Sequence, residues 1–412
     1  MEYGLIGERL GHSYSAVIHR AFGAYDYTLH SLPPDELAHF FQTSNFRGIN
    51  VTIPYKKSVI PFCAELSETA QKIGSVNTIV RRSDGTLYGD NTDYFGFAAM
   101  ARLAGIDFAG KRVVILGSGG TSLTAQAVTA DAGAASVTVV SRKGPVTCDH
   151  LGVAAQADVV INTTPVGMYP NNDASPVPLE RFPNCSGVLD VIYNPLRTRL
   201  LSAAKEAGIP HAGGLYMLTA QAARAYEVFR NEPLPDGTLQ SVYRRLTADV
   251  SNLVLVGMPG SGKSTVGRML AERLNRPFVD LDEVVAGQAG KTVPEIFAQE
   301  GEAAFRQMEA AAASETGKQK GLVIASGGGA ILTAENRAAL RQNGRVYWLQ
   351  RAIGQLDTSG RPLSTGLDAL CAMARQREPL YRLASDCIID NNGLPEATVQ
   401  QILEDFDESI GD

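Results

Sequence analysis

The sequence predicts an α/β protein built from two successive series of strands and helices. Two observations predict this fold class. The apolar run at 113–116 is followed by a glycine loop at 117–121, and the run at 253–256 by a loop at 257–264. Each loop leads into a helical pattern. Strand, glycine loop and helix in this order build parallel sheets, so we expect one such sheet in each half of the chain.

Length and composition narrow the class of protein further. A chain of 412 residues is too long for one ordinary core, and 44% hydrophobic with 19% charged residues is typical of globular domains. The formal net charge of −6 argues against a nucleic-acid partner. Five scattered cysteines without a C-x-x-C pair indicate neither a disulfide framework nor a zinc site. No signal-peptide pattern or membrane-length apolar run occurs, so we expect a cytoplasmic protein without a membrane partner. The oligomeric state stays open.

In the first half, short strand-like runs alternate with helical patterns. The runs cover 48–52, 136–140, 158–162 and 187–191, and helices are expected over 123–132 and 199–207. Strands that alternate with helices predict parallel pairing. A turn-rich segment at 231–237 interrupts the pattern, and a short helix over 238–246 follows. We therefore expect a linker over 233–250 and a second series that starts near residue 252.

The first glycine loop is compatible with a dinucleotide site. The next strand ends in Ser141, Arg142 and Lys143. In a dinucleotide-binding fold this strand end meets the adenine ribose, where an acid binds the free hydroxyl of NAD and an arginine accommodates the 2′-phosphate of NADP. Because two bases and no acid occur here, the sequence favours NADP. Only about twenty residues separate this strand end from the next motif, so we expect a short helix between them.

Three polar clusters in the first half could carry chemistry. Ser13 and Ser15 could hydrogen-bond a carboxylate, although a helix cap has the same pattern. Lys56 follows a buried strand and a proline, where it could act as an acid or base if partly desolvated. Asp93 closes the run Gly-Asp-Asn-Thr-Asp, with Asn77 upstream. Each cluster alone is also typical of a solvated loop or turn.

Together the motifs of the first 230 or so residues resemble shikimate dehydrogenase. They are S-x-S at 13–15, N-V-T-x-P-x-K at 50–56, V-N-T at 76–78, N-T-D at 91–93, N-T-T-P-x-G-M at 162–168 and G-L-x-M-L-x-x-Q at 214–221. The resemblance implies a two-lobed fold, with a substrate lobe over 1–95 completed by about 214–232. A Rossmann-like NADP lobe would span 96–213.

The resemblance also assigns roles to individual residues of the dehydrogenase half. Lys56 and Asp93 would be catalytic, with Lys56 as the proton donor and acceptor. The cyclohexene acid would be held by Ser13, Ser15, Thr52, Lys56, Asn77, Asp93, Tyr193 and Gln221. NADP would lie on Gly117, Ser118, Gly119, Gly120, Thr121, Ser141, Arg142, Thr163, Val191 and Gly214.

The second glycine loop has the pattern G-x-x-x-x-G-K-S of a P-loop, between a strand and a helix. Its backbone N–H groups would hold phosphate oxygens, with the helix dipole adding to the attraction. Lys263 would reach the β- and γ-phosphates of ATP, and the Ser264 hydroxyl would bind Mg²⁺. Asp280 and Asp282 end the next strand. An acid there can hold a water of the magnesium shell or a substrate hydroxyl, although Asp282 is also placed as a helix cap.

The second half resembles shikimate kinase over nearly its whole length, 251–412. The motifs are the P-loop, D-x-D at 280–282, G-E-x-x-F-R at 301–306, S-G-G-G at 326–329, R-P-L at 361–363 and R-x-P-L-Y-R at 377–382. The resemblance implies that shikimate binds to Asp282, Arg306, Gly328 and Arg377. Lys263 and Asp282 would be catalytic, Asp282 by polarising the attacking hydroxyl, and Asp280 would reach Mg²⁺ through water. ATP would contact Gly260, Ser261, Gly262, Lys263, Ser264, Thr265 and Arg361, the last on a mobile lid over about 353–374.

The two resemblances concern the same metabolite, because the hydroxyl that a dehydrogenase forms is the one that the kinase phosphorylates. They imply 3-dehydroshikimate and shikimate as substrates and NADP(H), ATP and Mg²⁺ as cofactors. Alternatives are a quinate/shikimate dehydrogenase that uses NAD, and an inactive dehydrogenase-like domain on an active kinase. A nucleotide-sensing adaptor without turnover is a third. Arg142 argues against the first, the intact Lys56 and Asp93 against the second, and the full set of kinase motifs against the third.

Overall fold

The computed structural model describes residues 1–11, 13–23, 25–356 and 367–411. The chain divides into two compact units, Met1–Leu246 and a second unit that begins at Thr247. The first unit contains two sheets and the second unit contains one. Three separate sheets agree with the α/β fold class expected from the sequence.

The first lobe of unit one holds a six-stranded sheet in the order β2-β1-β3-β5-β6-β4. Its buried face packs around Ile6, Ile49, Val51 and Ile79. The elements are β1 (Tyr3–Gly7), α1 (Ser15–Phe22), β2 (Tyr27–Ser31), α2 (Leu37–Thr43), β3 (Gly48–Val51), β4 (Glu65–Leu66), α3 (Glu68–Ile73), β5 (Thr78–Arg81) and β6 (Leu87–Asp90).

The expectation of purely parallel pairing is wrong for this sheet. Strand β5 runs antiparallel to both β3 and β6. The reason is a tight turn between β5 and β6, in which Gly85 has a φ of 88° and its N–H donates to Arg82 O at 2.9 Å. A reversal this short can only join antiparallel strands. The Asp84-Gly85 pair is the local signal for such a hairpin.

The second lobe of unit one is a five-stranded, all-parallel sheet in the order β11-β10-β9-β7-β8. A five-residue 3₁₀ helix, Gly152–Gln156, is the connection after β8, so the expected short helix is confirmed. The elements are α4 (Thr92–Leu103), β7 (Arg112–Leu116), α5 (Gly120–Asp131), β8 (Ser136–Val140), β9 (Val159–Asn162), β10 (Gly187–Asp190), α6 (Arg199–Glu206) and β11 (His211–Gly213). Helix α7 (Gly214–Arg230) packs on both lobes, with Met217 and Ala220 in the core of this lobe and Ala225 and Phe229 in that of the first.

Helix α8 (Thr238–Val250) contains the boundary between the units. In unit one, the ring of Tyr243 meets that of Tyr216 edge to face, with centroids 4.9 Å apart. Tyr216 Oη also donates to Gln240 Oε1 at 3.2 Å. In unit two, Arg276 donates to the carbonyls of Ala248 and Ser251 at 2.7 and 2.9 Å. The two ends of α8 are therefore bound by different units.

Unit two holds a five-stranded parallel sheet in the order β13-β14-β12-β15-β16. The P-loop strand β12 is central and completely buried. The elements are β12 (Asn252–Val256), α9 (Lys263–Leu274), β13 (Phe278–Asp280), α10 (Leu281–Ala289), α11 (Val293–Gln299), α12 (Gly301–Gly317), β14 (Val323–Ala325), α13 (Ala334–Gln342), β15 (Gly344–Gln350), α14 (Leu367–Ala384), β16 (Cys387–Asp390) and α15 (Pro395–Gly411). No helix in the described ranges is long and apolar enough to cross a membrane.

The packing of α8 leads to a prediction about where the chain can be divided. The turn-rich segment suggests a cut near Pro235, but a first fragment that ends there loses Gln240 and Tyr243 and uncovers Tyr216. We expect a fragment of residues 1–246 to melt several degrees above one of residues 1–235, because burial of an aromatic side chain is worth about 2 kcal/mol. Thermal unfolding followed by circular dichroism measures the difference. Equal melting temperatures would show that α8 does not stabilise the first unit.

Candidate active sites

One cavity of about 500 Å³ in unit one collects the predicted substrate residues. All eight of them line it: Ser13, Ser15, Thr52, Lys56, Asn77, Asp93, Tyr193 and Gln221. They come from segments as far apart as residue 13 and residue 221 and meet only in the folded unit. Three predicted cofactor residues, Thr121, Val191 and Gly214, line the same cavity.

A lysine–aspartate pair lies in this cavity. Lys56 follows β3, and Asp93 lies in the first turn of α4. Lys56 Nζ donates to Asp93 Oδ2 at 2.6 Å, and the two side chains keep 27% and 14% of their surface exposed. The pair is therefore held together but can still be reached by a ligand. A proton-carrying amine and a carboxylate at this distance suit general acid–base chemistry.

The charge of the lining suits an anionic ligand. The charged side chains among the cavity's lining residues are Arg9, Lys56 and Asp93, two cations and one anion. Ser13 and Ser15 add hydroxyl groups, with Ser13 Oγ donating to Ser15 Oγ at 3.0 Å. Arg9 is a lining residue that sequence reasoning missed, because a single arginine in a loop has no motif of its own.

Buried threonines orient the amide of Asn77. Its Oδ1 accepts from the N–H of Thr92 at 2.7 Å, from the hydroxyl of Thr92 at 3.2 Å and from that of Thr78 at 3.1 Å. The NH₂ end of the amide is thus the end that can donate to a ligand oxygen. The single proton of the Thr92 hydroxyl has Gln221 Oε1 of α7 as its alternative acceptor, at 3.3 Å.

The glycine loop after β7 has the backbone of a phosphate-binding turn. Gly117 has a φ of 108°, and a Cβ there would lie 2.8 Å from Thr163 Oγ1, so a side chain is excluded. Gly119 and Gly120 border open space instead, and α5 begins at Gly120. Backbone N–H groups at a helix N-terminus next to open space fit a pyrophosphate. Ser118 lies in this loop, and Ser141 and Arg142 directly follow β8, with Arg142 exposed.

In unit two the P-loop has three glycines with positive φ, namely Gly257 (150°), Gly260 (80°) and Gly262 (91°). Lys263 Nζ donates to the carbonyls of Gly257 and Met258 at 3.0 and 2.9 Å. Ser261 Oγ is buried and has no hydrogen-bond partner within the described part of the chain. A loop with these backbone angles, with the lysine side chain folded back onto its carbonyls, is suited to bind a triphosphate. Thr265 follows in the first turn of α9.

The predicted magnesium residues lie together. Ser264 Oγ donates to Asp280 Oδ2 at 2.6 Å, so the hydroxyl and the acid share one position beside the P-loop. The other oxygen of Asp280 accepts from the N–H of Asp282 at 3.1 Å and caps α10. The cap expected at Asp282 is therefore made by Asp280. An oxygen pair of this kind suits a hard cation.

The predicted shikimate residues of unit two surround the turn at 327–329. A Cβ on Gly327 would lie 2.6 Å from Asp282 Oδ1, and one on Gly329 would lie 2.2 Å from Arg306 Nη1. Arg377 Nη1 donates to Gly328 O at 3.0 Å. Glycine at 327 and 329 therefore lets the acid and the guanidinium approach the backbone closely. Arg361 lies outside the described residues.

Glu309 is a residue near this site that sequence reasoning missed. It is 1% exposed, and its Oε2 accepts from Arg306 Nη1 at 2.8 Å. Burial raises the pKa of its carboxyl. Its Oε1 has no hydrogen-bond partner in the described ranges and would lie 2.7 Å from a Cβ on Gly327. Arg306 and Glu309 are three residues apart on one helix, and this spacing in the sequence could have indicated that the two side chains are paired.

Comparison with known proteins identifies both units. Residues 5–79 match the profile of the shikimate dehydrogenase substrate binding domain, and residues 259–407 match that of shikimate kinase. The chain is 34% identical to a "Shikimate dehydrogenase (NADP(+))" of Clostridium perfringens over 265 residues, which cover 59% of this chain and 97% of that protein.

Two solved structures are similar to unit one. A chorismate mutase/shikimate 5-dehydrogenase fusion protein from Clostridium acetobutylicum is 36% identical, with a TM-score of 0.56 over 59% of this chain and 96% of that one. Shikimate 5-dehydrogenase from Thermus thermophilus, solved with NADP(H) and shikimate, is 30% identical, with a TM-score of 0.53 over 59% and 98%.

The buried pair in unit two allows a prediction about stability. Arg306→Met should lower the free energy of unfolding by about 3 kcal/mol, because it leaves the Glu309 carboxylate buried without its guanidinium. Adding Glu309→Gln should recover part of this loss. Trp348 is the single tryptophan of the chain and lies on β15, so its fluorescence in urea reports on unit two. If both variants unfold like the wild type, the pair does not stabilise this unit.

Proposed function

This chain belongs to the shikimate dehydrogenase family and carries a shikimate kinase domain behind it, and from that premise we propose two consecutive reactions. Unit one reduces 3-dehydroshikimate to shikimate with NADPH. Unit two then transfers the γ-phosphoryl group of ATP to the 3-hydroxyl of shikimate in the presence of Mg²⁺. The hydroxyl that the first reaction forms is the nucleophile of the second.

The observation that carries the first reaction is the shared cavity of unit one. Eight residues expected to bind a hydroxylated ring acid line it together with three expected to bind the cofactor. The lysine–aspartate pair with its 2.6 Å contact lies among them. The net positive lining favours an acid over a neutral polyol, because the carboxylate gains an attractive partner there.

The residues of this cavity account for the proton transfer. NADPH, when bound, supplies the hydride to the ring carbonyl carbon. The ammonium of Lys56 donates a proton to the carbonyl oxygen, which becomes the hydroxyl, and solvent then returns a proton to the amine. The Asp93 carboxylate orients Lys56 through their hydrogen bond. In the opposite direction Lys56 accepts the hydroxyl proton.

In unit two, the residues around the turn at 327–329 support the second reaction. Arg306 and Arg377 offer planar guanidinium groups to the shikimate carboxylate. Asp282 polarises the attacking hydroxyl. Ser264 and Asp280 would hold Mg²⁺, which would neutralise phosphate charge, and Lys263 would move from the loop carbonyls to the phosphates. Because Glu309 holds Arg306 at 2.8 Å, that arginine is already oriented before a ligand arrives.

One coupled assay tests the whole proposal. The purified chain receives 3-dehydroshikimate, NADPH, ATP and Mg²⁺, and shikimate 3-phosphate is measured by mass spectrometry. Omitting ATP should leave shikimate as the product, and omitting NADPH should leave the starting material. Formation of shikimate without its phosphate, when every component is present, would contradict the proposed kinase reaction. No NADPH consumption would contradict the proposed dehydrogenase reaction.

The first prediction of this scheme concerns Lys56. Lys56→Ala should lower the dehydrogenase kcat by about 10²- to 10⁴-fold, as expected for loss of a general acid, while the Kd for shikimate changes much less. Lys57→Ala is the matched control, because this neighbouring lysine is exposed and does not line the cavity. Kinase activity should survive in both variants. A dehydrogenase turnover near the wild-type value in Lys56→Ala would exclude Lys56 as the acid.

A second prediction concerns the choice of cofactor. Arg142→Ala should raise the KM for NADPH by about tenfold or more and leave that for NADH nearly unchanged, because a charged hydrogen bond to the 2′-phosphate is worth about 1.5–3 kcal/mol. Arg102→Ala removes an exposed arginine near the end of α4 and serves as control. An equal loss with both cofactors would mean that Arg142 does not contact the 2′-phosphate.

A further inference from the structure

A buried carboxylate, Asp190, is hydrogen-bonded to two separate segments of the second lobe of unit one. It is the last residue of β10 and is 0% exposed. Its Oδ1 accepts from Asn162 Nδ2 at 3.0 Å and from the N–H of Ile192 at 3.1 Å. Its Oδ2 accepts from the hydroxyl of Thr198 at 2.7 Å. The three donors belong to two different loops.

The first donor belongs to the cofactor side. Asn162 ends β9 and lies opposite Asp190 in the sheet register. Its own Oδ1 accepts from the N–H and the hydroxyl of Thr164, at 2.9 and 2.7 Å. Thr163, between Asn162 and Thr164, donates its hydroxyl to Leu116 O at 2.8 Å and packs directly on Gly117 of the glycine loop. Asn162 therefore fixes the loop that borders the expected pyrophosphate position.

The other two donors belong to the loop 191–198, which carries Tyr193 of the expected substrate site and Val191 of the expected cofactor site. Ile192 lies between Val191 and Tyr193, which both line the cavity. Its carbonyl accepts from the N–H of Gly214, the first residue of α7, at 2.9 Å. Thr198 caps α6 by accepting from the N–H of Leu201 at 3.3 Å. Asp190 thus holds both ends of the segment that carries Tyr193.

Only an acceptor with two oxygens can hold all three donors in this position. An ionised carboxylate accepts on both oxygens, whereas an amide accepts on only one. Burial is costly for a carboxylate, and it raises the pKa of Asp190 to about 6. Three hydrogen bonds offset this cost. Two of the donors, Asn162 and Ile192, are adjacent in sequence to residues that are expected to contact a ligand.

We propose that Asp190 is a positioning residue of the dehydrogenase, which holds the loop 162–166 beside the glycine loop and the loop 191–198 beside the cavity in one fixed arrangement. This inference rests on the proposed function of unit one. Asp190 does not line the cavity, so it acts through Val191, Tyr193 and Thr163. Its removal should disturb the alignment of the two ligands more than the binding of either one.

Asp190→Asn in the full chain tests the proposal, because it keeps the volume and one acceptor oxygen but offers an NH₂ group to Thr198. We expect the Kd for NADPH and the Kd for shikimate, measured separately by calorimetry, to stay within about threefold of wild type. The kcat for shikimate oxidation with NADP⁺ should fall by about 10- to 100-fold, since small misplacements of reacting groups cost that much.

Asp158→Asn is the matched control. Asp158 precedes β9 at the amino ends of the strands of the same sheet, whereas Asp190 lies at the carboxyl ends. Asp158 accepts from the N–H and the guanidinium of Arg112 at 2.8–3.0 Å. Its loss should lower the melting temperature without changing kcat. If Asp190→Asn does not fold, Thr198→Val removes one of the three donors and should lower kcat in the same way to a smaller extent.

Three results would overturn the proposal. The first is a lower melting temperature of Asp190→Asn with unchanged kcat, which means a purely structural role. The second is a loss of affinity for one ligand alone that accounts for the whole effect, which means that Asp190 supports one loop only. The third is an unchanged kcat in Thr198→Val where Asp190→Asn cannot be purified. Absence of shikimate oxidation in the wild type would instead contradict the proposed function.

Discussion

The dehydrogenase unit depends on the close approach of two helices at a single glycine. A Cβ on Gly96 of α4 would lie 2.6 Å from Met217 O and 2.9 Å from Gln221 Cβ of α7. No side chain fits there, so the two backbones can touch only because this residue is glycine. Helix α4 carries Asp93 in its first turn, and α7 carries Gln221. The contact at Gly96 therefore brings both residues to one cavity, and the same helices bury Phe97, Met100 and Ala220 in the core of the second lobe.

A second constraint is common to all three sheets. Functional groups collect where parallel strands end, because the carboxyl ends of neighbouring strands lie along one edge. Lys56 follows β3, the segment with Tyr193 follows β10, and the P-loop follows β12. The antiparallel hairpin β5–β6 does not break this rule for the site. Asp90 ends β6 and Asn91 connects it directly to α4. Strand β6 lies two positions from β3 in the sheet and runs in the same direction, so Asp93 reaches the same cavity from the same edge.

Most of the site could be predicted from the sequence, because residues that touch a ligand recur in spaced motifs. The eight residues expected to bind substrate, which line one cavity, and the four expected around residues 327–329 were predicted from such motifs. The strands at 113–116 and 253–256 are predicted to within one residue. The mixed pairing of the first sheet was missed, since alternation of strands and helices was read as parallel throughout. The Asp84-Gly85 turn carried the contrary information locally. Gly96 could not be recognised, because a glycine inside a helical pattern does not reveal which helix will approach it.

The residues that escaped prediction share a physical reason. Glu309, Thr92 and Asp190 act by orienting neighbours, and their value depends on distances that exist only after folding. The N–H and the hydroxyl of Thr92 both contact the amide oxygen of Asn77. One carboxylate oxygen of Glu309 accepts a hydrogen bond from the guanidinium of Arg306. Both arrangements fix a group that a ligand would otherwise have to immobilise, and that immobilisation would oppose binding by about 0.5–1.5 kcal/mol for a flexible side chain. Buried acids and hydroxyls of this kind are costly unless every bond is made. The same low exposure that makes them costly keeps competing water away, so the geometry of the ligand-contacting residues is set before the ligand binds.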